Sequence, residues 1–251
     1  MALGESNHDS EPAHAPVFAT THWSVVLAAA KQSDTKRGCD ALARLCQIYW
    51  YPLYAYVRRR GYSAHDAEDL TQAFFAQLLE RHSLAAVEPE RGSFRSFMLA
   101  VMKHFLANER EKGMAQKRGG GCQILSLDWV AAERRFDLEP ATYAAPDKLF
   151  EKQWALTLLA EVLNRLEHEY HSEGKGDLFA ALKQTLMGLR ESQPYAQLAR
   201  ELGVNESAVA VAVHRLRKRY RELIRAEIAN TLDDAEDVDA EIRHLFQVLA
   251  N

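Results

Sequence analysis

Along most of this chain apolar residues recur at three- and four-residue intervals, the period of helices with one buried face. Leu42, Leu45, Tyr49, Leu53 and Tyr56 mark a first amphipathic helix, disturbed at Pro52 and ending in Arg58-Arg59-Arg60-Gly61. Ser63-Ala-His-Asp66 reads as a capping box that opens a helix running to about Arg81. A third helix starts near Ser93, with Phe94, Phe97, Met98, Val101, Phe105 and Leu106 on its apolar side. Between about 113 and 147 the periodicity fails. Lys117-Arg118 followed by Gly119–Gly121, then Pro140 and Pro146, read as a linker with a short apolar piece at 124–129. Helical patterning resumes at Leu149 and continues through 228, interrupted around Ser172–Gly176. No repeat and no convincing strand is found. The expectation is all-α: two small helical domains joined by a flexible linker.

The densest local signal lies in residues 195–220. Leu198 and Leu202 share one face of a first helix, with small Ala199 where a second helix must approach closely. Gly203 stands where a turn needs positive φ, and Asn205 is a good N-cap for the helix that follows. On that helix Val209, Val213, Leu216, Tyr220 and Leu223 form an apolar stripe. His214, Arg215, Arg217, Lys218, Arg219 and Arg221 occupy the remaining surface. This is the pattern of a helix-turn-helix that places side chains in a DNA major groove. Packing corners in helical proteins share parts of it, and a basic run is often only a solvated face.

Composition adds two constraints. The 251 residues carry a net charge of −4 and are 47% hydrophobic, which excludes wholesale disorder. The small total hides a basic stretch over 214–225 and an acidic one over 232–241. Cys39, Cys46 and Cys122 are odd in number and lack Cys-x-x-Cys spacing, so neither a disulfide framework nor a zinc site is indicated. Without a signal-peptide pattern or a bilayer-length apolar run, the expected location is the cytoplasm. Residues 1–17 are polar with two prolines and are expected to be a disordered tail.

No catalytic constellation stands out. His168 and His171 are three apart but lack the His-Glu-x-x-His spacing of a zinc protease. Gly119–Gly121 lacks the Gly-Lys-Ser/Thr ending of a phosphate loop. Ser, His and Asp occur without a nucleophile elbow. No enzyme, metal or cofactor is expected. Asp66, Glu68 and Asp69 sit in the first turns of their helix, where they would also favour the helix dipole by about 0.3–1 kcal/mol each.

Asp66-Ala-Glu-Asp-Leu-Thr-Gln72, followed by Phe74-Phe75-Ala-Gln-Leu-Leu79, resembles the clamp-binding helix of bacterial RNA polymerase sigma factors. Arg91-Gly-Ser-Phe94-Arg95-Ser-Phe97 and the helix to Arg110 are similar to the segment that reads the −10 element. The helix-turn-helix lies where the domain that reads the −35 element belongs. Presence of only these two domains resembles the extracytoplasmic-function (ECF) sigma factors. Thr21–Val26, Tyr49–Leu53 and Val213–Arg217 are further similar to an ECF-like subgroup common in planctomycetes. The resemblance covers about 18–230.

It implies sigma domain 2 over 18–112, a linker over 113–147, sigma domain 4 over 148–230, and an acidic extension over 231–251. It implies a transcription initiation factor whose partners are core RNA polymerase, through the β′ clamp helices and β flap, and promoter DNA. That DNA would be duplex at −35 and single-stranded at −10; an anti-sigma factor is a candidate regulator. Asp66, Glu68, Asp69 and Gln72 would meet the clamp, with Leu70, Phe74 and Leu78 in the core. The loop from about Leu84 to Phe94 would cradle a flipped base. Arg91, Arg95, Lys103, Asn108 and Arg110 would hold the −10 strand, and Phe94 and Phe97 would either stack on bases or pack in the helix core. At −35 the candidates are Ser207, Ala210, Val211, His214 and Arg215, with Lys218 and Arg221 on phosphates. Many ECF factors carry basic or hydroxyl residues where Ala210 and Val211 stand. Ile242, Leu245, Phe246 and Leu249 share a helical face. The tail would therefore either cap domain 4, stay disordered, or inhibit by covering the basic helix. The competing function is a stand-alone helix-turn-helix regulator, which would need no clamp-binding surface.

Overall fold

A computed structural model describes residues 36–80, 93–113, 128–139, 144–186, 195–232 and 237–250. The expected N-terminal tail, the Thr21–Val26 motif, the base-cradling loop with Arg91, the side chains of Leu42 and Leu45, and the glycine breaker lie outside them. Within the described residues the fold is all-α, as the periodicity indicates. The order is α1 (Lys36–Arg59), α2 (Ala64–Glu80), α3 (Phe94–Gly113), α4 (Trp129–Leu138), α5 (Pro146–Ser172) and α6 (Gly176–Leu182). A 3₁₀ turn (Lys183–Leu186), α7 (Tyr195–Leu202), α8 (Glu206–Ala229) and α9 (Val238–Ala250) follow.

Helix α1 continues across Pro52, which the pattern marked as a disturbance. A proline there removes one backbone hydrogen bond, at a cost of about 3 kcal/mol in an exposed helix. Burial on nearly every side offsets it. Ile48, Tyr49, Tyr51, Leu53, Tyr54, Ala55, Tyr56 and Val57 are all at most 3% exposed. The single apolar face expected here is therefore corrected to an all-round one, because α2, α3, α4 and α5 each pack on α1. Gly61 closes the turn at φ +90, and Ser63 caps α2 by accepting from the Asp66 amide at 3.1 Å. The Ser63 hydroxyl also donates to the Asp66 carboxylate at 2.7 Å. On α3, Phe94, Met98, Met102, Phe105 and Leu106 are buried, while Phe97 and Val101 pack at the margin.

A ten-residue helix, α4, stands inside the stretch expected to be a linker. Asp128 caps it by accepting from the Ala131 amide at 2.9 Å. Only Ala132 of α4 is buried, and the apolar stripe it forms with the partly buried Trp129 and Phe136 is too short to stand out. Polar and aromatic contacts hold it on α1 instead. Arg58 grips Glu133 at 2.6 Å, Arg59 reaches Glu139 at 3.2 Å, and Tyr54 and Tyr51 donate to the same two carboxylates. Hydrogen bonding from Arg58 holds the Glu133 carboxyl below its ordinary range. Both guanidiniums stack on Phe136 at 4.7 and 4.8 Å, and Trp129 meets Trp50 edge-on at 5.5 Å.

The 27-residue α5 is the axis of the molecule. It packs on α1 and α3 along one part of its surface and on α8 and α9 along another. Its Trp154 is fully buried and donates to the Tyr49 hydroxyl at 3.0 Å. The C-terminal acidic segment folds back: α9 buries Val238, Glu241 and Leu245 against α5 and α8, with Ile242 and Leu249 beside them. Phe246, expected on that docked face, is 56% exposed and is not part of it.

Candidate nucleic-acid interface

The turn between α7 and α8 is built as its residues require. Gly203 sits at φ +66, and the Val204 amide donates back to the Ala199 carbonyl at 3.0 Å, ending α7. Asn205 then caps α8 by accepting from the Ala208 amide at 2.7 Å. Leu198 and Ala199 are buried against Val209, Val213 and Leu216 in the shared core. This fixes which side of α8 faces out. Ser207, Ala210, Val211, His214, Arg215, Lys218 and Arg221 are all exposed. At 100° per residue they fall within an arc of about 140°, opposite the buried stripe.

Two of the basic residues assigned to that surface do other work. Arg217 donates to the Thr185 carbonyl at 2.9 Å, and Arg219 makes a two-pronged contact with Glu169 at 2.8 and 2.9 Å. Both flank the exposed arc and tie α8 to the body on either side. The Arg219 hydrogen bonds hold the Glu169 carboxyl below its ordinary range. Lys218 comes no nearer than 3.9 Å to Glu222 and stays in solvent. What α8 presents is thus a strip that is small and apolar near the start of the helix, with Ser207, Ala210 and Val211, and basic further along it, with His214, Arg215, Lys218 and Arg221. Such a strip can contact thymine methyls near its start and offer a guanidinium to guanine further along.

The C-terminal helix does not lie over this strip. Its acidic residues reach other targets: Asp239 meets Arg225 at 2.5 Å near the far end of α8, and Glu241 meets Arg95 at 3.1 Å. Among the described residues, coverage of the basic recognition face by the tail is ruled out.

On α2, Asp69 is exposed, Asp66 is exposed at the cap, and Glu68 and Gln72 are half-buried beside them. Gln72 donates to Glu68 at 3.3 Å, and His65 lies 3.8 Å from Asp69. Phe74 and Leu78 are buried on the opposite side and Leu70 is partly so, as expected of core positions. The result is an acidic patch on one side of α2.

The residues expected at the −10 strand separate into two groups. Phe94 is 1% exposed, edge-on to Tyr49 at 5.1 Å and tilted on Phe97 at 5.8 Å. Core packing has claimed it, and it offers no ring to a base. Arg95 is 7% exposed and bonded to Glu241 and Glu151, so its guanidinium is not presented to a phosphate. Lys103, Asn108 and Arg110 lie in solvent. Lys103 pairs with Asp147 at 2.5 Å, and Arg110 donates to the Tyr62 hydroxyl at 3.1 Å while lying over its ring. His104, which sequence reasoning did not single out, shares the open side of α3 with Lys103 and Asn108. Its helical spacing from them was the available signal.

Among the described residues no group of three or more candidate ligands could hold a metal ion, and no helix is long and apolar enough to cross a membrane. His168 and His171 are exposed.

Residues 49–114 match the family model for Sigma-70 region 2, about a quarter of the chain. The match spans the buried half of α1, the acidic α2 and all of α3. No curated protein and no solved structure matches the chain. Through residues 49–114 the chain is similar to sigma-70 region 2, and that match supports an RNA polymerase sigma factor family and a role in transcription initiation.

Proposed function

We propose that this protein is a transcription initiation factor of the ECF type, which binds core RNA polymerase in the cytoplasm and directs it to particular promoters. The observation that carries the reading is the acidic surface of α2, exposed within the segment similar to sigma-70 region 2. On this reading residues 18–112 form domain 2 and 148–230 form domain 4. Asp66, Glu68, Asp69 and Gln72 dock on the β′ clamp helices, where complementary charge speeds encounter. Domain 4 seats near the β flap with the exposed arc of α8 in the −35 major groove. Arg215 reads guanine there, while Lys218 and Arg221 hold phosphates. The open side of α3, with Lys103, His104, Asn108 and Arg110, follows the −10 strand, together with Arg91 and Phe97.

Native-gel titration of core polymerase with the full chain tests the assignment. The protein is expected to form a complex, and the folded double variant D69R/Q72A to bind at least tenfold more weakly, a loss of about 1.4 kcal/mol or more. Unchanged affinity in that variant removes α2 as the docking surface. Duplex binding without any polymerase complex would point instead to a stand-alone helix-turn-helix regulator.

A further inference from the structure

A cavity of about 740 Å³ opens between the end of α4, one side of α5 and α9, with Arg59 of α1 also in its wall. That volume is in the range of small-molecule sites. Leu138, Leu149, Leu156 and Val248 supply apolar wall. Leu138 and Leu156 are two of the few large apolar side chains that stand exposed among the described residues, at 85% and 42%. Both line this one cavity, where an apolar group would take them out of water.

The charged residues of the wall divide into two groups. Glu139 accepts from Tyr51 and pairs with Arg59 at 3.2 Å, and Glu151 pairs with Arg95 at 2.6 Å. Arg135 lies over the Tyr51 ring at 3.7 Å and donates to Gln153 and Thr157. These groups are satisfied within the protein. Lys148 and Lys152, one helical turn apart on α5, have no ion pair or hydrogen bond among the described residues. Leu156 follows at the same spacing, so this row of α5 passes from ammonium groups to hydrocarbon. His244, also in the wall, has its Nε2 buried 3.5 Å from a Glu151 oxygen and completes no hydrogen bond, an uncommon state for a buried polar atom.

The occupant that fits has one charged end and one apolar end. Within a chain of net charge −4, the cavity wall holds four lysine or arginine cations and two carboxylates, both already paired. A nucleic-acid phosphate would answer the lysines and leave the leucines wet. A purely apolar group would do the reverse. We propose that this cavity binds a small amphipathic organic anion, with a carboxylate or phosphate head at Lys148 and Lys152 and an aliphatic body against Leu138, Leu156 and Val248. None of these residues lies on α2, the open side of α3 or the exposed arc of α8, so the site is separate from the surfaces assigned to polymerase and DNA.

Isothermal titration of the full chain with decanoate and with decyl phosphate, each below its aggregation concentration, tests the site. One equivalent of at least one anion should bind, with a negative heat-capacity change and a raised melting temperature. The tighter of the two identifies the head group. Decyltrimethylammonium, of equal chain length and opposite charge, should bind more weakly by about tenfold or more. K148Q/K152Q keeps much of both apolar stems and should weaken the anion about tenfold, with most of the salt dependence lost. Leu156→Asn should weaken it about fivefold and keep the salt dependence. Helical circular dichroism should be unchanged in both variants, whose altered positions reach solvent. No binding of either anion at millimolar concentration overturns the site. So does equal binding of the cation, uptake of several equivalents, or an affinity that either folded variant leaves unchanged. A dimer that sedimentation detects and L156N abolishes, with neither anion bound, would make this wall an interface between two copies instead.

Discussion

Tyr49, Tyr51, Tyr54 and Tyr56 occupy adjoining turns of one buried helix, and their titration exposes how that helix is held. Burial raises the pKa of all four above the ordinary phenol value of about 10. For Tyr51 and Tyr54 the hydrogen bonds to Glu139 and Glu133 add to the effect, since a phenolate could no longer donate and would face a carboxylate. A pKa raised in the folded state contributes stability that is complete below the unfolded value and is lost as pH rises towards the folded one. The protein should therefore lose its helices cooperatively above about pH 10, with phenolate absorbance appearing in the same step. A gradual titration of all nine tyrosines centred near pH 10, with helical circular dichroism intact, would contradict the burial of these four rings. At the DNA-facing end, Arg215 and Lys218 are both exposed, but their chemistry separates them. Arg215→Ala should cost about 1–3 kcal/mol on a cognate −35 duplex and less on a scrambled one. Lys218→Ala should weaken both duplexes alike and shallow the salt dependence by about one unit. Equal losses on the two duplexes for Arg215→Ala would remove it as a reader of sequence.

At the scale of elements, the α7–α8 turn is a case where each residue's local preference and the fold agree. Nothing lies within 4 Å of a Cβ added at Gly203, so only the positive φ resists substitution. Gly203→Ala should then cost about 1–2 kcal/mol, and Gly203→Asn less, because asparagine tolerates the left-handed region. Thermal melts of the two variants give the ordering, and an alanine no worse than asparagine would mean that the turn is not held left-handed. This turn, its Asn205 cap and the stripe on α8 were legible because they depend on neighbours in sequence. Helix α4 was not, because its stripe of Trp129, Ala132 and Phe136 is short and much of its hold on α1 comes through Glu133 and, at its C-cap, Glu139, and ion pairs to distant arginines leave no periodicity. Pro52 misled for a related reason: its cost is set by the helix alone, while the compensation comes from four other helices. Motif position makes Arg95 DNA-facing and leaves Phe94 between base stacking and core packing; the burial of both follows from Tyr49, Glu151 and Glu241. None of those partners is near them in sequence.

For the whole molecule the telling element is the C-terminal helix. Its acidic composition invited the idea of a charge shield over the basic recognition helix, yet its apolar residues determine where it goes. Leu245 is fully buried and Val238 nearly so, with Ile242 and Leu249 beside them against α5 and α8. The recognition arc from Ser207 to Arg221 remains in solvent. Stability and −35 recognition should therefore respond differently when the helix is loosened. Leu245→Ala removes a buried side chain, at a cost of about 2–5 kcal/mol. For a chain of this size each kcal/mol lowers the melting temperature by roughly 2–4 °C, so a fall of about 5–15 °C is expected. Affinity for a −35 duplex should not change at low or high salt, because the acidic residues of α9, Asp239 and Glu241, lie on Arg225 and Arg95 and not on the arc. A charge shield would behave in the opposite way, with affinity rising at low salt and the gain vanishing as salt screens it. Measuring melting temperature and duplex affinity on this one variant separates the cases. Tighter low-salt binding with little loss of stability would restore the shield and displace the packing role assigned to Leu245.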